Sequence, residues 1–185
     1  DGTASGDEDL RDIHMSNSQQ GVAVGETGAV IFTSNGGVTW SAATTSPTVS
    51  IINCVWARTP YIWMIGTADG RIYYTRNQGA TWTEQSFAGS GAGQVRDIVF
   101  AGDGISDGVI GYMSHDTATP RARIFRSIDN GASWYTLPEG AATLPLADQL
   151  NSLAAGGDGN FIVAGGLADD GSDGIVIVGD DPDIE

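Results

Sequence analysis

The sequence predicts an all-β chain assembled from repeated antiparallel sheets, on three observations. An eight-residue pattern, Ser/Thr-any-Asn/Asp-any-Gly-any-Ser/Thr-Trp, occurs three times, at Thr33 to Trp40, Thr75 to Trp82 and Ser127 to Trp134. An element returning roughly every forty to fifty residues marks a repeat architecture. Short apolar runs alternate with turns drawn from 27 glycines, many in Asp-Gly and Gly-Gly pairs, which is the pattern of short strands and tight turns. No stretch of useful length has helical periodicity.

The repeated pattern reads as a hairpin tip. Its Asn or Asp is suited to bonding its own backbone two residues on, in an Asx-type turn. Gly at the fifth position takes a backbone conformation that a Cβ makes costly. The leading hydroxyl bonds the turn from the other side. The Trp folds back under the loop, burying its ring while its N–H meets a carbonyl. The twelve residues that define the tips are Thr33, Asn35, Gly37 and Trp40, then Thr75, Asn77, Gly79 and Trp82, then Ser127, Asp129, Gly131 and Trp134.

These tips resemble the Asp-box, or BNR repeat, of β-propellers in the sialidase and sortilin-like superfamily. Asn35 and Asn77 stand where that family usually has Asp, and only Asp129 keeps the carboxylate. The resemblance implies that the boxes are structural, set at the outer blade edge away from any ligand site.

Residues 1–8 are rich in glycine, serine and acid and read as a mobile terminus. Residues 9–185 read as one propeller domain of four units, at about 9–46, 47–88, 94–140 and 146–185. In the first, strands are expected at 10–15, 21–25 and 29–32, with a short outer strand after Trp40. The second offers 51–56, 62–66 and 71–74, with Ala68-Asp69-Gly70 as a hairpin turn. The third offers 95–100, 109–112 and 123–126, and an insertion at 114–121 is expected to explain its wider box spacing. The fourth offers 150–153, 161–165 and 175–178, then an acidic tail without a box or a fourth strand. Four strands and a tip, repeated, is the grammar of a propeller blade. Two architectures fit: a four-bladed propeller closed between units four and one, which is preferred, and an open partial propeller completed by a partner chain.

Composition bounds function. The formal net charge is −15, and all eight basic residues are arginine. Such a chain repels phosphate backbones, so nucleic-acid binding is not expected. No apolar run is long enough to insert across a membrane, and no signal-peptide pattern opens the chain. Cys54 is the single cysteine and reads as a small core residue beside Val55 and Trp56.

Aligning the first strands places Asp12, Asn53, Asp97 and Ser152 in one column and Arg11, Ile52, Arg96 and Asn151 in the next. The first column offers Asp12 and Asp97 as weak candidates for a cation in a central channel. The favoured reading is that both columns bond between blades, the arginines with those carboxylates. Asp169, Asp170 and Asp173 have the oxygen density calcium favours, but their spacing fits a hairpin turn better.

No zinc spacing, P-loop or nucleophile elbow occurs, and no cofactor is expected. The sialidase resemblance implies an arginine cluster, a Tyr–Glu nucleophile pair and an acid Asp, and those motifs are absent. A glycoside hydrolase needs two facing carboxylates, whereas the aspartates here fall mostly in turns. The expectation is a non-catalytic structural or interaction module at a virion surface or tail, or outside the cell, with a protein partner or self-association. The alternative is carbohydrate binding through Trp56, Tyr61, Trp63, Tyr73, Tyr74 or Tyr112, or a hydrolase remnant.

Overall fold

The computed structural model describes residues 9–88, 90–101, 111–116, 122–136, 147–156, 161–168 and 174–180. They form fifteen strands in four antiparallel sheets. Blade 1 holds β1 (Leu10–Met15), β2 (Gly21–Gly25), β3 (Val30–Thr33) and β4 (Ser41–Ala42). Blade 2 holds β5 (Ile52–Ala57), β6 (Trp63–Thr67), β7 (Ile72–Thr75) and β8 (Thr83–Gln85). Blade 3 holds β9 (Gln94–Phe100), β10 (Gly111–Asp116), β11 (Ala122–Ser127) and β12 (Tyr135–Thr136). Blade 4 has three strands, β13 (Ala147–Ala155), β14 (Phe161–Ala168) and β15 (Gly174–Asp180). Each sheet is a simple meander, with strands paired in chain order.

The first strands pack in succession, β1 on β5, β5 on β9 and β9 on β13, while among the described residues β13 and β1 do not pack in this way. Among the described residues the sheets therefore form an arc of propeller blades. Closure within one chain, the preferred expectation, is not seen among these residues, where β13 and β1 lack the packing that joins the other blades. The wider spacing of the third box is also relocated. Ser114, His115 and Asp116 belong to strand β10, and the extra length falls mainly between β9 and β10.

Apolar alternation builds the layers between blades. Val22, Val24 and Val30 of blade 1 meet Ile52, Val55, Trp63 and Ile65 of blade 2. Cys54, Met64 and Ile72 of blade 2 meet Val95, Ile98, Met113 and Phe125 of blade 3. Ile124 of blade 3 meets Leu150, Leu153 and Ile162 of blade 4. Burying each large aliphatic side chain stabilises by about 1.5–3 kcal/mol. The second strands β2 and β6 are buried along their whole length.

A β-bulge recurs in the innermost strand of every blade. The ladder steps from Leu10 to Asp12, from Ile52 to Cys54, from Val95 to Asp97 and from Leu150 to Ser152, leaving Arg11, Asn53, Arg96 and Asn151 as the extra residues. A bulge tightens the local twist and re-aims a side chain. The column expected to hold Asp12, Asn53, Asp97 and Ser152 is therefore corrected by one residue in blade 2. Val24, Gly66, Ser114 and Gly165 pair with Asp12, Cys54, Asp97 and Ser152. Asn53 instead belongs with the bulged residues, which Ile52 does not.

Candidate functional site

The three boxes share one hydrogen-bond circuit. Thr33, Thr75 and Ser127 donate to Oδ1 of Asn35, Asn77 and Asp129 at 3.0, 2.9 and 2.8 Å. The same hydroxyls accept the N–H of Gly37, Gly79 and Gly131 at 3.0, 3.0 and 2.8 Å. Oδ1 then accepts the N–H of Thr39, Thr81 or Ser133 at 2.9, 2.9 and 2.8 Å, four residues on rather than two. Asn and Asp close the last link with opposite polarity. Asn35 and Asn77 donate to the hydroxyls of Thr39 and Thr81, whereas Ser133 donates to Asp129. The three glycines sit at φ 88°, 76° and 79°, where a Cβ is strained.

The tryptophans differ. Trp40 lies close beneath Gly37. Trp82 donates its indole N–H to the Thr45 carbonyl of blade 1 at 3.0 Å and packs 6.4 Å from Trp63. Trp134 is buried against Phe100 at 5.9 Å. Boxes 2 and 3 also clasp the preceding blade. Thr45 bonds the Gly79 carbonyl at 3.0 Å through its side chain, and Gln85 donates to the Ala132 carbonyl. Partial burial pushes the Asp129 carboxyl up, but its bonds from Ser133, Ser127 and Ala132 outweigh that and hold it below the usual carboxylate range.

A cleft of about 660 Å³ opens where these tips meet the ends of the inner strands. Blade 1 contributes His14, Met15 and Ser16, and blade 2 contributes Trp56, Arg58, Tyr74, Arg76 and Gln85. Blade 3 contributes Phe100 and 129–132 of the third box, which thus walls the concavity instead of lying away from it. The floor is aromatic: His14 lies 4.0 Å from Trp56, and Trp56 6.1 Å from Phe100, between ring centroids. The Arg76 guanidinium stands 5.6 Å over the Tyr74 ring. Among the described residues, no ion pair joins Arg58 or Arg76 to a carboxylate, whereas Arg11, Arg71 and Arg96 pair with Glu26, Glu84 and Asp116.

Asp12 and Asp97 stand apart from this cleft and join blades. Asp12 takes the Ile13 N–H and, across the interface, the Val55 N–H, both at 2.8 Å. Asp97 takes the Ile98 N–H at 2.8 Å and the Leu153 N–H at 2.7 Å. Asn53 donates to the Val95 carbonyl at 2.9 Å. The expected pairing of Arg11 and Arg96 with these aspartates is corrected, since the bulge turns both arginines to Glu26 and Asp116. Burial pushes the Asp97 carboxyl up despite its two backbone donors. Burial, then the charges of Asp97 and Asp12, push the Cys54 thiol well up, so it stays protonated and packs as an apolar group. No group of three or more metal-ligating side chains converges among the described residues. Asp169, Asp170 and Asp173 lie outside them.

Of the expected sugar-stacking aromatics, Trp56, Tyr74 and the buried Trp63 line the cleft, Tyr61 is exposed and Tyr73 packs between blades 1 and 2. The side chain of Tyr112 lies outside the described residues.

The two histidines give the fold an acid sensitivity. His14 accepts the Ala57 N–H on Nδ1 at 3.2 Å, which requires that nitrogen unprotonated. His115 is fully buried between Phe87 and Phe125, at 5.3 and 5.8 Å. Burial lowers both pKa values from 6.5, against the opposing pull of Asp12 and Asp116 respectively. Between the lowered folded value and 6.5 the unfolded chain binds more protons, so stability rises with pH through that window. Asp97, raised from 3.8, acts in the opposite sense, but at lower pH. The expected result is a melting temperature that falls on acidification from about pH 7.5 to about pH 5.5. A flat profile over that range, measured calorimetrically, contradicts neutral burial of the pair.

The fold is that of a β-propeller, and solved structures confirm the class. A structure described as YCF48 bound to D1 peptide matches with a TM-score of 0.63 at 19% identity, over 92% of this chain and 52% of that one. A crystal structure of an ancestral GH74 enzyme matches with a TM-score of 0.68 at 12% identity, over 95% of this chain and 25% of that one. This chain thus spans about half the length of the first and a quarter of the second. No family model matches the sequence, and no curated protein matches it.

Proposed function

We propose that this chain is a non-catalytic interaction module whose cleft docks an extended protein segment rich in acidic and aromatic residues. The carrying observation is the pairing of two arginines, which form no ion pair with a carboxylate among the described residues, with an aromatic floor, on a chain of net charge −15. The clustered cations attract acid locally while the rest of the surface repels it. Trp56 and Tyr74 supply rigid amphipathic contact area. The bound peptide named for YCF48 makes peptide recognition a reasonable use of a propeller surface, by analogy of fold. The lack of catalysis is supported by Asp129, the one carboxylate lining the cleft among the described residues, whose oxygens are engaged by Ser127 and Ser133. Two facing, available carboxylates are what glycoside hydrolysis requires. A virion surface or tail, or the outside of a cell, is the setting that a compact acidic display scaffold suits best.

The test is selection from a phage-displayed peptide library, followed by anisotropy titration of the labelled winners. Selected peptides are expected to be acidic, and to lose at least about tenfold in affinity, or about 1.4 kcal/mol, on Arg58→Ala or Arg76→Ala. Failure to select any peptide, or affinity indifferent to both arginines, rejects the proposal. A second reading, glycan stacking, rests on Trp56, half-buried in the floor. Glycan-array binding that is lost on Trp56→Ala and kept on Arg76→Ala selects it instead.

A further inference from the structure

His14 is a polar ring at a position the fold otherwise fills with apolar groups. Its counterparts in the innermost strands are Trp56, Val99 and Ala154, which pair with Met64, Tyr112 and Val163 as His14 pairs with Val22. None of the three has a lone pair to offer a backbone N–H, so blade packing does without one. His14 alone in this column reaches the next blade with a hydrogen bond, accepting the Ala57 N–H on Nδ1 at 3.2 Å.

That bond fixes where the proton sits. An Nδ1 that accepts carries no hydrogen, so the neutral ring is protonated on Nε2. Among the described residues Nε2 donates to no protein group, and the ring lines the cleft together with Arg58 and Arg76. A second proton, on Nδ1, would set two N–H donors face to face across the contact between blades 1 and 2. The charged ring must turn from Ala57. Trp56, 4.0 Å away between ring centroids, still holds it, because an indole face attracts a cation.

Few charged or titratable groups face this ring. On its own strand Asp12 favours the charged form. The neighbouring β2 has no titratable side chain. The inner strand of blade 2, β5, has Cys54, whose thiol stays protonated. Around the cleft stand Arg58, Arg76, Tyr74 and Asp129, the last with its oxygens engaged by Ser127 and Ser133. Burial is the largest influence on His14 and lowers its pKa from 6.5, against the pull of Asp12. The unbound cleft thus keeps the ring neutral at neutral pH and has no uncommitted carboxylate among the described residues to receive an imidazolium. An acidic ligand supplies one.

We propose that His14 is the acid-responsive recognition residue of the cleft: once protonated it joins Arg58 and Arg76 as a third cation and takes a carboxylate of the docked segment, so docking tightens as pH falls. This rests on the reading of the cleft as a dock for acidic segments. The sign follows from linkage. A ligand carboxylate beside the ring favours its charged form, so binding takes up a proton and affinity rises on acidification. The fold is expected to lose stability over the same range, which by itself weakens binding. A gain in affinity therefore has its origin in the cleft.

Two measurements test it, both well below the melting temperature. Ring-proton NMR follows the two histidines, His14 being the signal missing from His14→Asn, alongside the Ala57 amide. In the chain alone the Ala57 amide is expected to shift as His14 titrates, and an amide indifferent to that titration overturns the proposal. Fluorescence anisotropy then uses a labelled peptide alternating Glu and Tyr, beside one alternating Gln and Tyr. The parent is expected to bind the Glu peptide at least about fivefold more tightly at about pH 5.5 than at about pH 7.5, and bound peptide is expected to raise the pKa of His14. Asn keeps an acceptor in the place of Nδ1 but cannot titrate, so His14→Asn is expected to show a flat profile. The Gln peptide is expected to show one with the parent. Binding that needs Arg58 and Arg76 but is equal at both pH values, or that tightens equally in His14→Asn or with the Gln peptide, overturns this inference and leaves the reading of the cleft intact. A Glu peptide that binds at neither pH overturns both.

Discussion

Replacing Trp63 with alanine is expected to lower the unfolding free energy by about 3–5 kcal/mol, the cost of a deleted buried aromatic. Trp63 is 2% exposed and sits where three structural levels meet. It opens β6 beside the innermost strand, packs 5.8 Å from Phe32 of blade 1, and lies 6.4 Å from Trp82 of the second box. Its ring edge also supports the box turn, since a Cβ on Gly79 would stand 3.3 Å from it. Truncation thus opens a cavity bounded by two sheets and a glycine-dependent loop, none of which can close without breaking β-ladder bonds. The surface control is Tyr61→Ala, 58% exposed, expected to change stability by no more than about 0.5 kcal/mol. Urea unfolding with an unchanged m-value is the measurement. A loss below about 1 kcal/mol for Trp63→Ala contradicts an interface packed without slack.

The box tips were legible in the sequence because their chemistry is local. A hydroxyl, an amide or carboxylate, a glycine and a hydroxyl within eight residues can satisfy one another wherever the chain goes, and all three copies do so. The strand order was legible for a similar reason, since each meander pairs neighbours in the chain. What the sequence hid depends on register. The β-bulge between Ile52 and Cys54 advances blade 2 by one residue, so Asn53 took a place in the alignment that the ladder gives to Cys54. A bulge adds a residue without altering the apolar character around it, and Ile51-Ile52-Asn53 offers two registers of equal hydrophobicity. Closure was hidden too, because it depends on the angle between sheets, which no single strand encodes. The cleft draws on three blades, from His14 to Ala132. Its one sequence signal was positional: Arg58 follows the first strand of blade 2 and Arg76 follows the third, which places both at the same end of the sheet as the box.

Gly66→Val is expected to destabilise the chain by about 1–3 kcal/mol, while Gly165→Val, its counterpart two blades further on, is expected to change stability by no more than about 0.5 kcal/mol. The two glycines occupy the same rung of the blade, opposite Cys54 and Ser152. Only their neighbours differ. A Cβ at Gly66 would meet Val95 Cγ1 at 2.3 Å and Cys54 Sγ at 2.7 Å, and both residues are fully enclosed. The added side chain must push blade 3 away from blade 2. That movement strains the bond from Asn53 to the Val95 carbonyl, which crosses the same interface. Among the described residues, a Cβ at Gly165 meets nothing within 4 Å, and a β-branched residue suits a strand better than glycine does. Denaturation in dilute solution compares them on equal terms. Equal costs at the two sites contradict the open end of the arc, because only a blade already seated on Gly165 makes that position as crowded as Gly66.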